Sequence, residues 1–267
     1  MAVDSLSRSG IGQVILVWNN DDTPDAVTRE IASSPEVELL EAESNLGIPG
    51  GRNYGLQHCE GDYVVFLDDD AFVQSDQLAS RICEYFSTHQ NCGALAFRVV
   101  DGDDNSQRRH NPRLGTIGLN RAGKVATFAG GACAVRRTSF LDAGGFDASF
   151  IYAMEEQDLA WRMYRISSEV HYVPDVRIFH PPSLPSRHPD HLERTWRNRV
   201  AAAYKSLPFW IRLIYLTLHG LRTRRMGLRL GEMIRLLIIA RTSVVTRLPL
   251  KPSTVFQLAR IGRPPIF

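Results

Sequence analysis

The chain has 267 residues, 44% of them hydrophobic and 22% charged. That is enough apolar material for one large domain or two small ones, and it excludes a disordered, collagenous or disulfide-stapled chain. The near-neutral total of +2 hides an asymmetry: residues 1–193 carry 16 Lys and Arg against 28 Asp and Glu, and residues 194–267 carry 15 against Glu232 alone. An acidic body with a basic tail points to an anionic partner for the tail. The four cysteines (Cys59, Cys83, Cys92, Cys133) are scattered without a CxxC pair. They read as reduced thiols of a cytoplasmic protein, not as zinc ligands or disulfides. The first ten residues, MAVDSLSRSG, lack the apolar stretch of a signal peptide. Residues 207–221, the longest apolar candidate, are broken by Arg212 and His219, so no membrane span is expected.

Residues 13–18 form an apolar run stopped by Asn19-Asn20-Asp21-Asp22 and read as a buried strand. A short helix fits 25–33, a strand 37–40, and a helix with a glycine-rich start 51–59. Residues 63–67 are a strand that stops at three aspartates; 77–88 are helical and 94–100 extended. This alternation predicts an α/β fold, a mostly parallel sheet flanked by helices. Residues 101–123 are polar and loop-like. A strand at 126–135, helices at 137–143 and 156–165, and a strand at 169–173 follow; Pro181, Pro182 and Pro185 mark a break. Helical patterns then cover 191–206, 209–224, 228–246 and 254–261. The expected division is an α/β domain over 1–189 and a basic, amphipathic α-helical C-terminal extension over 190–267.

Asp68-Asp69-Asp70 sit just beyond the carboxyl end of an apolar strand, where open α/β sheets bind ligands. Three adjacent carboxylates repel unless a cation lies between them, and their hard oxygens suit Mg²⁺ or Mn²⁺; a solvated acidic turn is the plainer reading. The stretch from Asn45 through Gly47, Gly50, Gly51, Arg52, Asn53 and Gly55 opens a helix. Its free N–H groups and Arg52 would suit a diphosphate, although a plain glycine turn reads the same way. Glu155, Glu156 and Asp158 cluster at a helix start, as ordinary end-of-helix acids or as a general base. A lone His180 is by itself more often structural.

In this order the motifs resemble family 2 glycosyltransferases of the GT-A (Rossmann-like) fold, in particular bacterial rhamnosyltransferase-like members that build cell-surface polysaccharide. The resemblance spans residues 4–180 and includes Gly130-Gly131 and Gly144-Gly145-Phe146-Asp147. It implies a metal-dependent, inverting transfer of a sugar from a nucleotide-sugar donor to a hydroxyl of a cell-surface glycan or glycolipid. Asp68 and Asp70 match the family's metal-holding DxD pair, with His180 as a third ligand of Mg²⁺ or Mn²⁺. Asp69 would face the nucleotide or sugar, and Asn19, Asn45, Gly51, Arg52, Asn53, Gly130 and Gly131 would line the donor site. Glu156 matches the catalytic base; it replaces the usual Asp, which leaves Glu155 and Asp158 as rivals. Trp196, Arg197 and Asn198 resemble a pattern following the catalytic domain, to which the sequence attaches no role. Relative to the family, the first strand and part of the first helix are expected to be missing ahead of Val14. A truncated, non-catalytic paralogue that binds a glycan lipid or partner enzyme at the membrane is therefore the alternative.

In the tail, bulky apolar residues alternate with arginines, as around Phe209-Trp210-Ile211-Arg212 and Ile234-Arg235-Leu236. Such helices suit peripheral contact with an anionic membrane, here the inner face of the plasma membrane, or simple packing on the body. An acidic body without a nucleic-acid motif argues against nucleic acid.

Overall fold

The computed structural model describes residues 2–75, 77–107, 110–112, 118–182 and 189–261. In chain order the elements are α1 (Ala2–Arg8), β1 (Val14–Trp18), α2 (Ala26–Ala32), β2 (Val37–Glu41), α3 (Gly47–Gln57), β3 (Tyr63–Leu67), β4 (Phe72–Val73), α4 (Leu78–Thr88) and β5 (Cys92–Val100). They continue with β6 (Gly123–Lys124), β7 (Ala132–Arg136), α5 (Arg137–Asp142), α6 (Glu155–Arg165), β8 (Glu169–Phe179), α7 (His191–Ser206), α8 (Phe209–Arg225), α9 (Leu230–Ser243) and α10 (Pro252–Arg260). A 3-10 turn spans Ala148–Phe150. The expected α/β class, a central sheet flanked by helices with a helical C-terminal region, is what the chain adopts.

Strand polarity is more mixed than the sequence pattern implies. The main sheet has the order β3-β7-β5-β8-β4, with β6 also on β8, while β1 and β2 form a separate parallel pair. β5 and β8 are parallel, but β7 runs antiparallel to both of its neighbours, β3 and β5. The cause is the long excursion after β5, from which the chain re-enters the sheet as β7; among its described residues there is no crossover helix. Ala94 to Phe97 and Ala132 to Val135 are all buried, so both faces of this centre are covered. An apolar run carries no mark of its direction, so the sequence could not distinguish the two senses.

β8 extends six residues beyond the expected strand. Pro174 lacks a donor for the ladder, and the register slips between the pairs Phe97–Val173 and Arg98–Arg177. The bulge absorbs the proline, and pairing resumes to Phe179. α3 begins four residues early, at Gly47, and lies close against β1: a Cβ on Gly55 would come within 2.9 Å of Val17. A cavity of about 990 Å³ is lined by residues 14–17 of β1 and 63–67 of β3, with Asn19, Arg52, Asp68 and Asp69 also on its wall.

The helices after residue 190 share their apolar interior with the body. Trp161 of α6 is fully buried and meets Tyr215 of α8 edge-on at 5.7 Å. Trp196 of α7 donates its indole N–H to the Met233 carbonyl of α9 at 3.0 Å. Among the described residues, no helix is long and apolar enough to cross a membrane.

Candidate active site

Three sheet strands deliver their ends to one edge. β3 stops at Leu67 and releases Asp68 to Asp70; β8 stops at Phe179 and releases His180; β7, running the other way, starts just after Gly130-Gly131. Backbone bonds lock these ends: Asp68 N–H donates to the Gly131 carbonyl at 3.1 Å, and His180 N–H to Val100 at 2.9 Å. From the far side α6 brings its first residues, Glu155 and Glu156.

Arg52 of α3 lies at the centre. Its side chain is 14% exposed and donates to Asp68 Oδ1 at 2.8 Å; Nη1 lies 3.8 Å from Glu155 Oε1 and 3.9 Å from Glu156 Oε1. Burial would lower its pKa, but the carboxylates of Asp68, Glu156 and Glu155 raise it further, so the guanidinium stays charged. Gly130 donates its N–H to Glu156 Oε1 at 3.1 Å. Both positions are tight: a Cβ on Gly130 would strike the ends of the Arg52 and Glu156 side chains, and one on Gly131 would fall inside the Asp68 carboxylate, so those groups would have to shift. Glu156 retains 24% exposure while Glu155 keeps 4%, so Glu156 faces the open side. Burial, then repulsion from Glu156, pushes Glu155 up to about 8 against the pull of Arg52. Burial likewise raises Glu156.

Asp68, Asp70 and His180 each offer one ligand atom within 4.8 Å of the others. His180 Nε2 is 3.6 Å from Asp68 Oδ2 and 3.4 Å from Asp70 Oδ1. An octahedral ion with ligands at about 2.1 Å spaces neighbouring donors about 3 Å and opposite donors about 4.2 Å apart, so the trio can close around one Mg²⁺ or Mn²⁺. Burial opposes ionisation of Asp68, but His180 and Arg52 outweigh it and hold the carboxyl at about 2. It is therefore a ready anionic ligand.

Several expected donor-site residues are engaged elsewhere. The amide of Asn19 accepts from Leu46 N–H and donates to the Gly47 carbonyl; Asn45 Oδ1 accepts from Gly47 N–H; Ile48 N–H goes to the Ile151 carbonyl. Pro49 has no N–H. The start of α3 thus spends its free donors inside the protein, which corrects the expectation of an anion cradle there. Gly51 lies inside the helix, where a Cβ would press on Asn19 at 2.8 Å. Asn53 exchanges two hydrogen bonds with the Phe146 backbone and pins that loop. Asp158 is fully buried and paired with Arg162 at 2.8 Å and Lys205 at 3.5 Å, so it does not join the Arg52 cluster. Asp69 is exposed and lines the 990 Å³ cavity with Arg52. His110, read only as part of a polar loop, sets its ring 5.2 Å from that of His180, tilted by 57°.

α6 is entered through a contorted turn. Ile151, Ala153 and Met154 all have positive φ, at 60°, 71° and 73°. For residues with a Cβ this costs about 1–3 kcal/mol each, and such strain persists only where surroundings enforce it.

Residues 4–145 match the sequence model of "Glycosyl transferase family 2". The chain belongs to this family. Among curated relatives of this family 2 chain, the minor teichoic acid biosynthesis protein GgaB of Bacillus subtilis is 36% identical over 98 residues, 34% of this chain and 11% of GgaB. The pre-mycofactocin glycosyltransferase of Mycobacterium tuberculosis is 24% identical over 177 residues, covering 63% of this chain and 37% of the relative. The chain therefore spans well under two thirds of these relatives' length. Among solved structures, GalNAc-T7 with UDP, GalNAc and Mn²⁺ superposes with a TM-score of 0.68 at 14% identity, covering 97% of this chain and 53% of the other. S. aureus TarS 1-349 in complex with UDP gives 0.59 at 14% identity, covering 91% and 78%. These likenesses establish that the family 2 chain has the GT-A fold.

Two expectations follow from the geometry of this family 2 site. Gly131→Ala should destabilise the protein by about 1–3 kcal/mol through overpacking, read as a lower melting temperature. Gly102→Ala, with nothing within 4 Å of the added carbon, is the control and should leave stability within about 0.5 kcal/mol. The second concerns pH. Glu155 has an ordinary value of 4.5 and a folded value of about 8. Across that window the folded chain binds more protons than the unfolded one, so this group's contribution to stability falls as pH rises. Glu155→Gln should therefore gain melting temperature relative to wild type between about pH 5 and about pH 8; a constant difference would refute the raised value.

Proposed function

We propose that the chain transfers a sugar from a nucleotide-sugar donor to a hydroxyl of a cell-surface glycan or lipid-linked acceptor, with inversion. The observation that carries this reading is the meeting of the Asp68–Asp70–His180 trio with the Arg52–Glu155–Glu156 cluster at one sheet edge. The family supports the reaction class; UDP and Mn²⁺ in the GalNAc-T7 structure support the donor and the ion, and the GgaB name supports the acceptor class.

In this reading Asp68, Asp70 and His180 hold Mg²⁺ or Mn²⁺, which would offset the charge that grows on the diphosphate leaving group. Glu156 accepts the proton of the acceptor hydroxyl as its oxygen attacks the anomeric carbon. The bond to the diphosphate breaks on the opposite face, and its electron pair leaves with the diphosphate. A carboxylate raised by burial is the stronger base. Arg52 orients Glu156 and Asp68 and also stands on the wall of the donor cavity. Asp69 faces the donor cavity.

Calorimetry of the purified chain with UDP, dTDP and GDP, each with and without Mn²⁺, tests the donor site. One nucleotide should bind with metal dependence, and Asp70→Ala should weaken that binding more than about tenfold. Glu156→Gln should bind the nucleotide normally but lose transfer by about 100-fold or more. Nucleotide binding with no transfer by wild type would favour the non-catalytic alternative.

We further propose that α8 and α9 place the enzyme on the cytoplasmic face of an anionic membrane. α8 is inverted: Arg212, Tyr215, His219 and Thr223 face inward, while Trp210, Leu213, Ile214, Leu218 and Leu221 face outward. On α9, Leu230, Ile234 and Ile238 are exposed, and arginines at 222, 224, 225, 229, 235 and 241 flank the apolar stripe. Apolar residues flanked by cations match an anionic bilayer. Phosphatidylglycerol vesicles should co-sediment with the protein and phosphatidylcholine vesicles should not, and Trp210→Glu with Ile214→Glu should abolish binding. Equal binding to both lipids would remove the electrostatic part of the reading.

A further inference from the structure

The three positive-φ residues ahead of α6 need something to hold them, and the holder comes from a helix 44 residues downstream of Met154 in the chain. Asn198 of α7 is 1% exposed. Its side-chain nitrogen reaches three backbone carbonyls of the turn: Phe150 at 3.0 Å, Tyr152 at 2.8 Å and Ala153 at 2.9 Å. An amide has two N–H hydrogens, so they are shared over three acceptors. Phe150 and Tyr152 flank the strained Ile151, and Ala153 is itself strained. Two further contacts close on the same segment: Ile48 N–H donates to the Ile151 carbonyl at 2.8 Å, and Arg199 lies 3.7 Å from the Met154 sulfur. The turn leads directly into Glu155 and Glu156, and no side chain caps the start of α6. The acids are thus aimed by the turn, and the turn is enforced largely from α7.

We propose that Asn198 is a positioning residue for the base: its amide draws three carbonyls together and fixes the left-handed turn that presents Glu156 beside Arg52. No role attaches to Asn198 from the family match, which ends at residue 145. The clamp itself is independent of the reaction; its catalytic consequence rests on the transfer reading above. Asn198 touches neither the Asp68–Asp70–His180 trio nor the cavity wall, so donor and metal binding should not depend on it.

The test is Asn198→Ala in the full chain, with two readouts. Hydrogen exchange should quicken at the amides of residues 151–156 by about tenfold or more, while β3 and β7 keep their protection. In the transfer assay kcat should fall about 10- to 100-fold, because a small displacement of the base is costly, with the donor KM within about twofold of wild type. Should Asn198→Ala fold poorly, Asn198→Ala combined with Ala153→Gly supplies the second variant: glycine accepts the positive φ at 153 without penalty, so part of kcat should return. Unchanged exchange at 151–156 overturns the clamp. Exchange that quickens over the whole core, or KM rising in step with the loss of kcat and melting temperature, shows a merely structural residue and overturns the proposal. Quickened exchange with unchanged kcat overturns the link to the base. If wild type transfers no sugar, the transfer reading fails on its own, and exchange still decides the clamp.

Discussion

A buried guanidinium among three carboxylates sets the terms for the rest of the site. Arg52 is held between Asp68, Glu155 and Glu156, and removing it would take the shared cation from three enclosed acid groups. The sheet meets this need by ending β3 and starting β7 at the same level. Two glycines then leave room for the guanidinium and for the Asp68 carboxylate. The arrangement ties Asp68 to Glu155 and Glu156 through one positive charge, so the two ends of the cluster share a reference point. Side-chain order at the centre therefore depends on backbone that carries no side chain at all.

Much of this was written in the sequence. The strand–helix alternation, the aspartates at the end of β3 and the acids at the start of α6 fell where local pattern put them, because end-of-strand and start-of-helix positions are fixed by short-range chemistry. Direction was not: Ala132–Val135 is apolar in either sense, and only the long excursion after β5 decides that β7 runs antiparallel. The run past Pro174 was hidden because a bulge, unlike a turn, leaves no composition signal. The glycine-rich segment misled for a related reason. Glycines that let a helix press on a strand look the same in a string as glycines that cradle an anion, and the partners that occupy the first N–H groups of α3 come from residues 19, 45 and 151.

The tail shows the opposite relation between composition and place. On α8 a set of apolar residues faces outward beside Arg222, Arg224 and Arg225, while Arg212 and His219 turn in. Composition alone could not separate this from ordinary packing, since the same residues serve both. Burial adds what composition lacks: α8 lies on the body by Arg212, Tyr215, His219 and Thr223, with Ile211 and Leu216 partly packed there, and leaves Trp210, Leu213, Ile214, Leu218 and Leu221 exposed.

The amide at residue 198 also bears on where this molecule can be cut. The family match closes at residue 145, and the Asp68–Asp70–His180 trio and the acids of α6 are complete by residue 180. A fragment ending at His180 would hold every group the proposed chemistry names. It would lack the helix that keeps the turn at 151–154 in its left-handed shape, and the acids would drift from Arg52. For anyone grafting this unit onto another protein, or comparing relatives by their motifs, the smallest portable piece is set by the frame and not by the reagents, and it extends at least through α7.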